Sequence, residues 1–164
     1  MASPVTRAQI DAIVHALAVV LPARTPADVV LKHYFRDNRS LGSRDRALVA
    51  DTVYSVLRRR RLLETLTPSA APRELALASL VKLQGVSIGQ LESLLKSSER
   101  NWLAELKARD MDALPFEVKA DLPDWVIERL RRRYADSEIL ALARSLQHPA
   151  PLDLRVNTLK APRE

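Results

Sequence analysis

The feature that most constrains the fold is an apolar stripe of helical period within residues 41–63, LGSRDRALVADTVYSVLRRRRLL. Apolar side chains recur there at three- and four-residue spacing, which places them on one face of an α-helix. Gly42 permits a turn and Ser43 can cap the helix, which we predict to begin near Arg44. Because such a face must be covered, the stripe predicts a helix docked into a core. Its members are Leu48, Val49, Thr52, Val53, Val56 and Leu57.

Further helices are predicted on both sides of this one, because capping residues and prolines delimit several other amphipathic segments. Short loops join the first three helices, as in a helical bundle. The chain has only 3 glycines, which leaves little room for a loop-rich or Rossmann-type architecture. We therefore predict an all-α fold. The predicted helix starts are Ser3, Thr25, Pro72, Ser87, Ser98, Pro123 and Ser137.

Two segments depart from the helical pattern. Residues 109–122 have weak periodicity, a proline at position 115 and mixed charge, and we interpret them as a connection across the first domain or a linker out of it. Further on, Leu152, Leu154 and Val156 alternate with polar residues, which is the period of a half-buried strand. Because a single strand is not stable alone, we expect this short C-terminal strand to belong to a domain whose remainder is absent from the chain.

Positive charge is concentrated in two arginine clusters. The net charge of +6 and the pI of about 10.1 favour polyanionic partners, with RNA, DNA and acidic proteins all open. Guanidinium groups suit phosphate oxygens, so the clusters are candidate contacts to an RNA backbone. The alternative is a solvated helix end, with cations at the negative pole of the helix dipole. The clusters are Arg58, Arg59, Arg60 and Arg61 in the first case, and Arg129, Arg131, Arg132 and Arg133 in the second.

The sequence shows little catalytic chemistry. It contains no P-loop, no GxGxxG, no HExxH and no plausible catalytic triad. It has no cysteine, which excludes a disulfide, a thiolate metal site and a cysteine nucleophile within this chain. We interpret His15 as an ordinary surface or boundary histidine and Asp45 as a structural residue at a helix start. No apolar run approaches the length of a membrane span and no signal peptide is evident, so a cytoplasmic protein is the default expectation.

Three segments carry a resemblance to a known family. Residues 41–63 contain RDR and VYSVLRRRRLL, and later segments read LPDWVIERLRRRY and HPAPLDLRVNTLK. They resemble, in the same order, the RDR and VYxVLRxRxxL signature of the NusB-like N-terminal region and the LPxWLxxRLxxxY and PPLxLRVNxLK segments of RsmB-type (Sun, or Fmu) ribosomal RNA cytosine-5 methyltransferases. A VNEAVELAK-like helix of that family is not found between Leu75 and Leu106.

The resemblance implies that the parent protein transfers a methyl group from S-adenosylmethionine to carbon 5 of a cytosine in RNA. In that family a catalytic cysteine attacks the base, a second cysteine assists product release, and a Rossmann-like domain binds the cofactor. None of these features is found in this sequence, so we expect this chain to be non-catalytic and to hold no cofactor. Carried over residue by residue, the family pattern gives Arg44, Asp45 and Arg46 as a charged triplet, and Arg155 and Asn157 as polar residues of the strand that enters a small RNA-binding subdomain.

These observations predict three regions, namely a NusB-like helical domain at 1–108, a linker at 109–122 and the truncated start of the RNA-binding subdomain at 123–164. The predicted function is RNA binding and substrate positioning, with ribosomal RNA and a missing C-terminal methyltransferase domain as partners. The alternative is a free-standing NusB-like antitermination protein or a helical protein-interaction module. The candidate RNA-binding residues are Arg44, Arg46, Arg58, Arg59, Arg60, Arg61, Arg129, Arg132, Arg133, Arg155 and Asn157.

Overall fold

The computed structural model describes residues 5–148, 155–157 and 160. These residues form α-helices joined by short connections and contain no β-strand. The predicted all-α class is therefore confirmed for the described part of the chain. In chain order its α-helices are α1 (Arg7–Val20), α2 (Ala27–Asp37), α3 (Ser43–Arg58), α4 (Arg60–Leu66), α5 (Pro72–Ala78), α6 (Ile88–Leu91), α7 (Ser97–Ala108), α8 (Phe116–Ala120), α9 (Asp124–Arg131) and α10 (Asp136–Gln147).

The ends of the helices follow local hydrogen-bonding chemistry. Helix α1 begins at Arg7 because Thr6 and Gln9 form a capping box, in which the Gln9 N–H donates to Thr6 Oγ1 at 3.2 Å and the Thr6 N–H donates to Gln9 Oε1 at 2.9 Å. The predicted start at Ser3 lies outside the described residues. Helix α6 begins after Ser87, as predicted, with the same kind of capping box.

Helix α10 starts at Asp136, so the predicted cap at Ser137 is wrong by two residues. The Ala135 N–H donates to the Glu138 carboxylate at 2.8 Å, and this acidic side chain satisfies a backbone group that a serine cap would not reach.

The core lies where α1 packs against α3 and α5. The predicted stripe of α3 faces it, with Val49, Thr52, Val53 and Val56 buried and the stripe's two leucines half-buried. The Tyr34 hydroxyl on α2 donates to the Ala12 carbonyl at 3.0 Å and fixes α2 against α1. A docked α3 with this face inward is what the helical period predicts.

The predicted fourth helix is divided in the structure. Helix α5 continues as a π-helical turn, Ser79–Leu83, capped by Gln84. Gly85 follows with a φ of 74°, the left-handed conformation that glycine adopts without strain. Within the π-helical turn the buried Ser79 hydroxyl donates to Ser55 Oγ on α3 at 3.1 Å. After α6 a short 3-10 turn, Glu92–Leu94, leads to α7.

The arginine run does not lie on one helix. Arg59 leaves helical geometry, with φ −118° and ψ 31°, so α3 ends at Arg58 and α4 begins at Arg60. The cause is Asp121, whose Oδ1 accepts hydrogen bonds from the N–H groups of Arg61 at 2.9 Å and Leu62 at 3.3 Å, in the first turn of α4. The expectation of one helix closed by the whole run is therefore wrong, because a carboxylate distant in sequence starts a second helix.

Residues 109–122 pack against the rest of the fold. Leu114 and Val118 are buried in the main core, and α8 occupies the end of the segment. A second, smaller cluster forms around Ala120, Ile127 and Ala143, where α8 meets α9 and α10. The predicted regions at 1–108, 109–122 and 123–164 remain a prediction.

The predicted C-terminal strand falls mostly outside the described residues, since neither Leu152 nor Leu154 is among them. The described residues 155–157 have no regular secondary structure. None of the described helices is long and apolar enough to span a lipid bilayer.

Candidate nucleic-acid interface

Arg59 makes an internal ion pair with Asp121. Its Nε lies 3.3 Å from Asp121 Oδ2, and the two side chains are 20% and 2% exposed. Neither of these two atoms has hydrogen-bonding geometry to a partner in the described structure, so the contact is electrostatic. Arg59 also donates to the side-chain carbonyl of Gln147 at the end of α10. Arg59 thus joins the α3–α4 junction to α8 and α10.

Burial dominates the electrostatics of this pair. It raises the pKa of the Asp121 carboxyl above its usual value, and Arg59 and the two backbone N–H groups only partly oppose that rise. Burial also lowers the pKa of the Arg59 guanidinium, against the attraction of Asp121. In both groups desolvation destabilises the charged form more than the partner charge stabilises it. The pair therefore positions the α3–α4 junction against α8 and adds little to stability.

Arg61 fixes the beginning of α9. Its guanidinium donates to the Leu122 carbonyl at 2.9 Å and to Asp124 Oδ1 at 2.6 Å. Arg60 pairs with Glu64 at 2.7 Å along α4 and reaches the Leu21 carbonyl at 3.3 Å. Three of the four arginines are therefore engaged within the protein.

Arg58 is the member of the run that stays available. It is exposed at the end of α3, and the described residues offer it no ionic partner. A phosphate could reach its guanidinium without disturbing a contact of the fold.

Helix α9 presents arginine and tryptophan together. The Arg129 guanidinium lies 5.4 Å from the ring centroid of Trp125, which is 61% exposed. Arg132 and Arg133 follow at the end of the helix, both exposed and without an ionic partner among the described residues. An exposed aromatic ring beside several guanidinium groups is the composition used to stack bases and hold a nucleic-acid backbone.

Arg131, on the same helix, is used differently. It donates to Asp136 at 3.0 Å, with Glu117 at 3.5 Å, and its guanidinium lies 4.5 Å from the ring centroid of Phe116. Hydrogen bonding to Asp136 raises the pKa of Arg131. This arginine ties α9 to the start of α10 and to α8.

The charged triplet at the start of α3 divides by role. Asp45 is structural, as interpreted, because its carboxylate accepts from the Gly42 N–H at 3.1 Å and from Gln9 Nε2 at 2.8 Å. Arg44 is exposed. Arg46 donates from Nε to the Leu41 carbonyl at 2.9 Å, and its guanidinium lies 6.0 Å from the ring centroid of Phe35.

Three cations that are not among the predicted site residues line a cleft together with Arg46. Lys32, Arg36 and Arg39 line, with Phe35 and Arg46, an open cleft of about 570 Å³ between α2 and the start of α3. Spacing is the signal that could have identified two of them, because Lys32 and Arg36 are four residues apart and share one face of α2. The predicted sites come instead from runs of adjacent arginines, although adjacent residues point in different directions on a helix.

The predicted site residues therefore lie in separate places. The structure brings Arg46 together with the α2 cations, places Arg59 and Arg61 at the junction with α8 and α9, and puts Arg129, Arg132 and Arg133 on or just after α9. Arg155 and Asn157 are exposed, beyond α10.

No cluster of acidic, histidine or cysteine side chains within residues 5–148, 155–157 and 160 is large enough to hold a metal ion. What the described surface offers is arginine, lysine and exposed aromatic side chains on a helical scaffold. This combination defines a basic helical module suited to binding polyanions.

Comparison with known proteins finds a family match for part of the chain. Residues 122–164, about a quarter of the chain, match the family model described as "Methyltr_RsmF/B-like, ferredoxin-like domain". No curated protein and no solved structure matches the chain significantly. The match supports a relation between the C-terminal part of the chain and the RsmB/Fmu-family ribosomal RNA methyltransferases. It does not extend to residues 1–121, so the NusB-like interpretation of the first region stays a prediction.

Proposed function

We propose that this chain is the RNA-binding and substrate-positioning N-terminal module of an S-adenosylmethionine-dependent ribosomal RNA (cytosine-5)-methyltransferase. The observation that carries the proposal is the family match at residues 122–164, which follows a basic helical region in the order that such a protein requires. The regions would be a NusB-like domain at 1–108, a linker at 109–122 and the start of an RNA-binding subdomain at 123–164. The proposed location is cytoplasmic.

In this proposal the chain supplies binding and orientation, while a methyltransferase domain that follows it supplies S-adenosylmethionine and the cysteine chemistry. Cations that have no ionic partner among the described residues contact the phosphates of ribosomal RNA. They are Arg44, Arg58, Arg129, Arg132, Arg133 and Arg155.

The internally bonded arginines have a positioning role. Arg59 and Arg61 connect the α3–α4 junction to Asp121, Leu122 and Asp124, where α8 ends and α9 begins. Through these contacts the orientation of α9 is set by the main helical core. RNA held on α9 would then have a fixed position relative to the rest of the module.

Binding of a fluorescently labelled structured RNA tests the RNA role. We expect saturable binding whose logarithmic affinity falls linearly with the logarithm of salt concentration, by about 0.7–0.9 for each phosphate contacted. Arg132→Gln with Arg133→Gln should reduce this slope, while Lys96→Gln with Lys107→Gln, exposed residues at the start and in the last turn of α7, is the matched control. Absence of saturable binding by the unmodified chain, or binding insensitive to salt, would remove the RNA role.

The coding sequence beyond position 164 tests the methyltransferase role. We expect it to encode a domain with two cysteines in a methyltransferase context. A stop codon directly after Glu164 would instead favour the free-standing NusB-like or helical adaptor protein.

A further inference from the structure

We propose that the cleft between α2 and the start of α3 is a binding site for the phosphate backbone of RNA. Among the described residues five line it, and four of them are cations: Lys32, Arg36, Arg39 and Arg46 line it together with the half-buried Phe35. None of these described lining residues carries a carboxylate. This assignment rests on the proposed RNA-binding function and names a site within it that neither arginine cluster of the sequence predicts.

The fold builds this cleft from two helices. Lys32, Phe35, Arg36 and Arg39 belong to α2 and the turn after it, and Arg46 comes from the first turns of α3. The Arg46 guanidinium is held from two sides, by Nε donation to the Leu41 carbonyl at 2.9 Å and by its position 6.0 Å from the Phe35 ring centroid. Among the described residues its terminal nitrogens have no hydrogen-bond partner, so a ligand can bind them with the guanidinium plane already oriented.

The other three cations are only lightly constrained. Arg39 donates from Nε to the Arg36 carbonyl at a long 3.4 Å, and the described residues give Lys32 no ionic partner. Arg36 contacts His33 Nδ1 at 2.9 Å and the exposed Asp37 carboxylate at 3.5 Å. Within the described part of the chain, Asp37 is the acidic group that contacts one of these cations, so the positive charge of the cleft is little neutralised.

The size and shape of the cleft suit an extended polyanion. Its volume of about 570 Å³ is open to solvent, and its four cations come from α2, from the turn after it and from α3. Four cations at an open cleft can contact more than one phosphate, which suits a nucleic-acid strand. Phe35 is the one apolar residue among the five that line the cleft, and it is half-buried, so insertion into a membrane is not favoured.

The test compares two variants of the chain with equal loss of charge. Lys32→Gln with Arg39→Gln removes two cleft cations and the long hydrogen bond from Arg39 to the Arg36 carbonyl, while the side-chain contacts of Arg36 and Arg46 are kept. Lys96→Gln with Lys107→Gln removes two exposed cations from α7 and the residue that precedes it. Binding of labelled structured RNA is measured by fluorescence anisotropy across a salt series. Circular dichroism melts of each variant report whether the helices persist.

We expect the cleft variant to bind RNA about tenfold more weakly and to lower the salt slope by about 1.4, since two phosphate contacts are lost and each single-strand contact contributes about 0.7. The control variant should keep at least most of the affinity and slope. Adding Arg36→Gln to the cleft variant should flatten the slope further.

The outcomes separate this assignment from the function on which it rests. If the unmodified chain binds RNA but the cleft and control variants behave alike, the cleft assignment is overturned and the RNA-binding proposal stands. If the unmodified chain does not bind RNA, both fail. If the cleft variant loses binding to poly-glutamate while its RNA affinity is unchanged, the cleft serves an acidic protein and the assignment is likewise overturned. Should the double variant melt below the assay temperature, Arg39→Gln alone gives the same comparison at half the effect on slope.

Discussion

Two ion pairs in this protein have opposite electrostatic characters. In the Arg73–Glu99 pair, Nε and one terminal nitrogen of Arg73 donate to the two carboxylate oxygens at 2.6 and 3.1 Å, and hydrogen bonding from Arg73 lowers the pKa of Glu99 below its usual value. In the Arg59–Asp121 pair, burial outweighs the partner and raises the pKa of Asp121. In the first pair the contact stabilises the ionised forms of both side chains. In the second pair the contact holds helices in position, and burial disfavours ionisation of Asp121.

The opposite shifts predict opposite dependences of stability on pH. The raised pKa of Asp121 means that its contribution to the unfolding free energy is greatest in acid and declines as pH rises above the usual value of 3.8. The lowered pKa of Glu99 means that its contribution is full above the usual value of 4.5 and is lost as pH falls through the folded-state pKa. The stability advantage of the unmodified protein over Asp121→Asn should therefore shrink with rising pH, and its advantage over Glu99→Gln should grow.

Urea unfolding followed by circular dichroism, between about pH 3.5 and about pH 7, measures both differences. Asparagine is chosen at Asp121 because it tolerates the φ of 54° and can still accept the two backbone hydrogen bonds. Parallel pH trends for the two variants would contradict the assignment of burial as the dominant cause at Asp121.

At the scale of helices, periodicity identified the buried face of α3 and could not identify where that helix ends. The face is a local property, because residues three and four apart always share a side. The break at Arg59 depends on Asp121, which is 60 residues away from Arg61 in sequence. The same reason explains why α8 was expected to be part of an irregular connection, since its short span is held by contacts of Leu114 and Val118 with the main core.

Val53 tests the inward face of α3. It is fully buried in the core, so Val53→Asp should lower the free energy of unfolding by about 3 kcal/mol or more, because an unpaired carboxylate would be placed there. Ala47→Asp, at an exposed position of the same helix, is the matched control and should cost less than about 1 kcal/mol. Equal melting of the two variants in thermal denaturation would mean that α3 is docked by another face.

For the whole molecule, the charge of the chain was predictable while its distribution was not. The sequence predicted four adjacent arginines as one candidate site. In the structure Arg59, Arg60 and Arg61 make internal contacts, and other cations are exposed. The cleft cations come from two helices whose relative placement is a tertiary property. Only the i, i+4 spacing of Lys32 and Arg36 was visible beforehand.

The exposed apolar residues are also a feature of the whole molecule. Leu142 and Leu146 on α10 are exposed, within the segment that matches the ferredoxin-like domain. Because they are four residues apart, they share one face of the helix, and exposed leucines on one face are typical of a surface that packs against further protein. This agrees with the proposed role of residues 123–164 as the beginning of a larger subdomain.

Ultraviolet crosslinking of the chain to a structured RNA, with the crosslinked residues located by mass spectrometry, tests the central claim most directly. RNA that binds as proposed contacts the α2–α3 cleft and the exposed face of α9. We therefore expect crosslinked residues between 32 and 46 and between 125 and 133, suppressed by excess unlabelled RNA. Absence of competed crosslinks, or crosslinks confined to α5, α6 and α7, would contradict the account.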